Sequence, residues 1–98
     1  MAYSFIIEPL VRYDLIEAVD HYSEINFELA EALVTEFYEG IDAIVLNPYL
    51  YQAISKSYRK LSLKRFLYKI IFQVKQSQIT IVALAHHKRR PNYWRNRK

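Results

Sequence analysis

The spacing of apolar residues changes once along this chain, and that change limits the possible folds more than any other feature. Up to Val45 the spacing is helical: Leu15, Ala18, Val19, Tyr22 and Ile25 form one stripe, and Ala30, Leu33, Val34, Phe37, Ile41, Ile44 and Val45 a second. From Phe66 onward it is two. Phe66, Tyr68, Ile70, Phe72 and Val74 share one side, with Leu67, Lys69, Ile71, Gln73 and Lys75 on the other. The first stripe breaks at Asn26, whose short side chain suits a cap between two helices, and the second ends at Asn47-Pro48. Two adjoining amphipathic helices form a hairpin whose shared apolar side needs a cover, and the second half of the chain supplies one.

That cover reads as a sheet. Ile79 to Ala85 is a nearly continuous apolar run of strand length, expected for a central strand paired as a hairpin with the Phe66–Val74 strand across Gln76-Ser77. A shorter strand is expected over Tyr58 to Leu63 and a first one over Tyr3 to Ile7, ahead of Glu8-Pro9. The order is β-α-α-β-β-β. It describes a single α+β domain over residues 1–98, a helical hairpin packed on a small, mostly antiparallel sheet.

Charge divides at the same place. All ten acids lie between Glu8 and Asp42, so residues 1–55 set one base, Arg12, against ten acids, a balance of −9. Residues 56–98 hold 13 lysines and arginines and no acid. Because those cations alternate with Phe66, Tyr68, Ile70, Phe72, Val74, Ile79, Ile81 and Leu84, the basic half belongs to the folded core rather than to a disordered arm. Such a field draws phosphate backbones or an acidic protein partner. The acids occur at helical spacing on what should be solvent faces, with Asp14, Glu17, Asp20 and Glu24 turned away from the first stripe, so hydrolysis by a carboxylate pair is disfavoured.

Several chemistries are excluded by residue type. Without cysteine there is neither a disulfide framework nor a thiolate metal site, and with Gly40 as the only glycine there is no phosphate-cradling loop. His86 and His87 leave a strand on opposite faces and cannot jointly hold a metal; no metal and no other cofactor is expected. No nucleophile elbow with a nearby acid is present. His21 reads as a surface or core-edge residue of the first helix. The opening residues lack a basic n-region and carry only a brief apolar run, so a cytoplasmic location is expected, with no leader and no membrane span.

The densest functional signal is the ending from His86 to Lys98, where lysines and arginines surround Tyr93 and Trp94. Guanidinium groups pair with phosphate or carboxylate, and aromatic rings stack on bases or fill pockets on protein partners. If this region were catalytic, the chemistry would be metal-free RNA cleavage. The substrate's 2′-hydroxyl would attack, with His86 or a tyrosine such as Tyr68 or Tyr93 moving the proton, while Arg65 and Arg90 stabilise the phosphorane. In the alternative, His86 is a strand-end residue bonded to the backbone and Trp94 folds back onto the sheet.

The stretch Arg59-Lys60-Leu61-Ser62-Leu63-Lys64-Arg65-Phe66-Leu67-Tyr68-Lys69-Ile70, then Ile79 to His86, then Arg90-Pro91 and Trp94, resembles the RelE/ParE toxin superfamily, as does the order of elements from end to end. Leu67 stands where that family usually has proline. The resemblance implies a growth-arresting toxin of a type II toxin–antitoxin system. Its partner would be a cognate antitoxin with an acidic, partly disordered segment, and operator DNA would be bound only through the antitoxin complex. RelE-like members cleave messenger RNA on the ribosome without a metal, and Arg65, His86 and Arg90 would then be catalytic. ParE-like members bind and poison DNA gyrase, and Arg59, Lys64, Arg89, Tyr93, Trp94, Arg95 and Arg97 would then be target contacts. The ending, histidine then arginine-proline, tryptophan and arginine, is more similar to the ParE and plasmid-stabilisation branch. A non-toxic basic nucleic-acid-binding module is the remaining reading.

Overall fold

In the computed structural model, residues 3–97 are described; Met1, Ala2 and Lys98 lie outside them. The chain runs through β1 (Ser4–Ile7), α1 (Leu10–Ile25), α2 (Phe27–Leu46), a 3₁₀ turn (Pro48–Leu50), β2 (Gln52–Ala53), β3 (Arg59–Ser62), β4 (Tyr68–Lys75), β5 (Gln78–His86) and a second 3₁₀ turn (Tyr93–Arg97). The helices separate at Asn26. Its side-chain oxygen accepts from the amides of Glu28 at 2.7 Å and Leu29 at 3.4 Å, which satisfies donors that open α2. Ile25, the last residue of α1, is exposed at this corner rather than part of the buried stripe.

The five strands form one sheet in the order β1-β5-β4-β3-β2, antiparallel except for the β1–β5 pair. β2 was not expected: two residues are too few to display a period, and it exists because Gln52 and Ala53 pair with Lys60 and Arg59 at the sheet edge. Both helices cover one face, where Val11, Ala18, Leu33, Phe37, Ile41 and Ile44 meet Ile70, Phe72, Ile79, Ile81 and Leu84. Phe66, Tyr68 and Val74 join that side, as the alternation requires. The opposite, outer face carries a smaller apolar layer of Tyr58, Ile71, Val82, Ala83, Ala85 and Trp94.

β5 is buried on both faces, which accounts for its unbroken apolar run. A bulge interrupts its ladder with β4: Phe72 faces Ile81 and Ile71 faces Ala83, so Val82 is the extra residue. Val82 and Ala83 therefore both join the outer layer, and the inward residues run Ile79, Ile81, Leu84. β1 pairs with β5 only as far as Ile81, and the edge beyond it is closed by side chains. There Asp14 of α1 accepts from the Leu84 amide at 3.0 Å, and Arg97 donates to the Val82 carbonyl at 3.1 Å. Asp14 was expected on a solvent face and is instead buried, because its carboxylate is the acceptor that this open strand edge needs.

Candidate functional site

The basic ending folds back onto the outer face. After β5 the Arg89 amide donates to the His86 carbonyl, Asn92 takes a left-handed conformation (φ 65°), and the 3₁₀ turn lays Trp94 edge-on against Tyr58 with ring centres 4.7 Å apart. Trp94 is buried. Arg97 forms a two-pronged ion pair with Asp14, at 2.7 and 3.0 Å, so two of the expected target contacts hold the ending to the domain. Tyr93 is half-buried, with the Arg89 guanidinium 4.1 Å and that of Arg97 5.4 Å from its ring centre. Arg95 lies over Tyr58 and Trp94 at 5.1 and 5.3 Å and is otherwise exposed, as is Arg90.

Between this ending and the sheet is a small pocket of about 120 Å³. Lys60 of β3 and Lys69 of β4 lie on its sheet side; Arg89, Arg90 and Tyr93 border it from the ending, and His86 stands at the end of β5. Burial lowers the pKa of the Lys69 ammonium, and the neighbouring Lys60 charge lowers it further. His86 packs edge-on against Tyr68, 4.9 Å between ring centres, and its Nδ1 accepts from the Lys88 amide at 3.0 Å, which leaves the ring proton on Nε2. Burial, followed by His87, Lys88 and His21, lowers the His86 pKa, so the ring is neutral at pH 7. Burial raises the pKa of Tyr68 and of Tyr93, and both remain phenols at neutral pH.

The remaining basic candidates border a second concavity on the helix side. An open groove of about 550 Å³ runs between α2 and β3, with Glu36, Glu39 and Gly40 along the helix and Leu61, Lys64 and Arg65 along the strand and its following loop. The Glu36 carboxylate accepts from the Lys64 amide and, at 3.4 Å, from the Arg65 amide, fixing the loop against α2. Arg65 is exposed beside the Phe66 ring. Arg59 donates to the Tyr51 carbonyl at 2.8 Å and lies over Tyr49, so it ties the sheet edge to the first 3₁₀ turn.

The structure thus divides Arg65, His86 and Arg90 between two concavities: Arg65 borders the groove, whereas His86 and Arg90 border the pocket. Sequence reasoning overlooked Lys60 and Lys69. Their signal was the alternation itself, which sets Lys69 on the side of the strand opposite the helical hairpin.

A helical hairpin across one face of a five-stranded sheet, with a basic ending pinned to the other, defines the class: a small α+β domain whose exposed features are cationic surface and an apolar groove. The fold is similar to that of a solved structure described as "Chromosomal ParDE TA system from P. aeruginosa". The TM-score is 0.76 at 21% identity, with 87% of this chain and 96% of that chain covered, a likeness of fold. No curated protein matches the sequence. Residues 5–91 match the family described as "ParE toxin of type II toxin-antitoxin system, parDE", and the chain belongs to that family.

Proposed function

We propose that this chain is the toxin of a type II pair and that it arrests growth by binding and poisoning DNA gyrase, not by cutting RNA. The family match over residues 5–91 carries the reading. Arg65, expected to act with His86 and Arg90 at one reacting atom, borders a different concavity, which removes it from that set. The target contacts are the exposed cations of the outer face, Arg89, Arg90 and Arg95. The cognate antitoxin supplies an amphipathic, acidic segment that is disordered when free and lies in the groove between α2 and β3, its carboxylates toward Lys64 and Arg65.

The test is a pair of assays on toxin released from its antitoxin: supercoiling by gyrase, and cleavage of messenger RNA on programmed ribosomes. Supercoiling inhibition with intact RNA is expected. RNA cleavage with unaffected gyrase would overturn the reading and make His86 and Arg90 catalytic candidates. Truncation at Pro91 is unsuitable as a probe of the contacts, since it removes buried Trp94 and the Arg97 side of the ion pair. Arg90→Ala and Arg95→Ala leave both in place.

A further inference from the structure

We infer that the free edge of β1 is a dimerisation edge, on which a second copy of this chain pairs antiparallel, β1 to β1, to give one ten-stranded sheet. This goes beyond the gyrase reading and does not depend on it. β1 is the terminal strand of its sheet, and all four of its residues, Ser4-Phe5-Ile6-Ile7, are exposed. The amides of Ser4 and Glu8 donate to the carbonyls of Ser77 and Ile81 on the β5 side, so by alternation the N–H and C=O groups of Phe5 and Ile7 point outward. Such an edge is ordinarily blunted by a charge, a proline, a bulge or extreme shortness. The opposite edge, β2, has only two residues, whereas β1 has four and carries neither charge nor proline.

The edge is complementary to itself. When two copies of β1 meet about a twofold axis at Ile6, each Phe5 faces the other copy's Ile7, and the two pairs exchange four hydrogen bonds through those outward groups. With the axis at Ile7, Phe5 would face Pro9, which has no N–H; with the axis at Phe5, Ile7 would face Tyr3, which precedes the strand and packs on its own core. Phe5 and Ile7 share the helix side with their β5 neighbours Ile79 and Ile81. Ile7 there lines a cavity of about 330 Å³ with Val11, Leu15 and Phe37. The axis sets each Phe5 ring beside the other copy's Ile7, at that cavity, while Ile6 meets Ile6 on the outer side. Phe5, Ile6 and Ile7 are 44%, 47% and 37% exposed, apolar surface that the dimer removes from water. Charge points to the same occupant. The acidic helices and the basic second half suit partners of opposite sign, but this edge is neutral and its flank, Glu8 and Arg12, is balanced. A strongly charged partner finds no complement there, and a second copy does.

The experiment is sedimentation equilibrium of the full chain, released from its antitoxin, from about 1 to about 300 μM, where a monomer–dimer equilibrium is expected. Ile6→Lys sets like charges directly opposite each other and should weaken dimerisation at least about tenfold. Ile25→Lys, an equal charge gain at an exposed apolar residue of the helix corner, should change it less than twofold. Thermal melting of each variant checks that the monomer folds. Because the chain has no cysteine, one introduced thiol reports the register. Ile6→Cys places two thiols across the axis with Cα atoms about 4.5 Å apart and should form an intermolecular disulfide under mild oxidation, whereas Phe5→Cys, at about 8 Å, should not. Should Ile6→Lys fail to fold, the two cysteine variants decide alone. A monomer throughout the concentration range would overturn the inference and leave the edge to a strand of another protein. Equal weakening by the two lysine variants, or a disulfide that forms as fast in Phe5→Cys as in Ile6→Cys, would also overturn it. Gyrase is absent from these measurements, so failure here leaves the gyrase reading intact and failure of that reading leaves this result intact.

Discussion

At the scale of single residues, the most consequential group is Asp14. Its carboxylate receives both prongs of Arg97 and the Leu84 amide, and it lies at an edge where no strand completes the ladder. Asp14→Ala leaves a partly buried guanidinium without its counter-ion and a buried amide without its acceptor, a combination that costs about 3–5 kcal/mol. Urea denaturation of Asp14→Ala, Arg97→Met and the double variant measures it. The double variant should be clearly more stable than the sum of the single losses implies, since the stranded charge is gone. His86 makes a prediction about pH. Its pKa is lowered on folding, so the unfolded chain takes up the proton first as pH falls. The stabilisation is complete above the ordinary histidine value near 6.5 and declines below it toward the folded value. Melting temperatures measured from pH 8 to 5 should therefore fall more for the native chain than for His86→Gln. Parallel curves would show that His86 does not titrate as described.

At the scale of elements, α2 approaches the sheet closely because Gly40 has no side chain. A β-carbon there would sit 2.8 Å from Cδ1 of Ile70 and 3.5 Å from Cδ2 of Leu61. Alanine gains about 1 kcal/mol of helix propensity and must displace only the tip of Ile70, so Gly40→Ala should change stability by less than about 1 kcal/mol. Gly40→Leu forces the layers apart and should cost about 1–3 kcal/mol while filling the groove; with the antitoxin seated there as proposed, calorimetry would register a loss of its affinity. The ending is equally an element of the fold. Trp94 covers the outer layer, and Trp94→Ala should cost about 3–5 kcal/mol by thermal or urea unfolding.

At the scale of the whole molecule, the two layers separate the charges that the sequence had already separated. The acids lie almost entirely on the helices, while the bases, apart from Arg12 on α1, lie on the strands, their loops and the ending. Only Asp14 and Arg97 form an ion pair among the described residues. With gyrase as the target proposed above, neutralising Arg90 and Arg95 together should raise the toxin concentration needed to inhibit supercoiling at least about tenfold. Neutralising Glu24 and Glu31 on the helices should change it by less than about twofold. Equal effects from the two pairs would remove the outer face from the target interface.

The sequence by itself determined the layers. Helical spacing to Val45, spacing of two from Phe66, Asn26 as a cap and an apolar run for the doubly buried β5 are local patterns, written in residues close along the chain. The RelE/ParE resemblance was legible in the same way, and the family match agrees with it. Tertiary structure alone decided which charges are used internally and which are left free. Asp14 and Arg97 are 83 residues apart, and only the sheet edge between them explains why one acid among ten is buried. Lys60, Lys69, Arg89 and Arg90 likewise meet only through strand register and the fold-back of the ending. Periodicity reports which face a side chain takes; it carries no information about what comes to rest against that face, because that depends on contacts between distant segments.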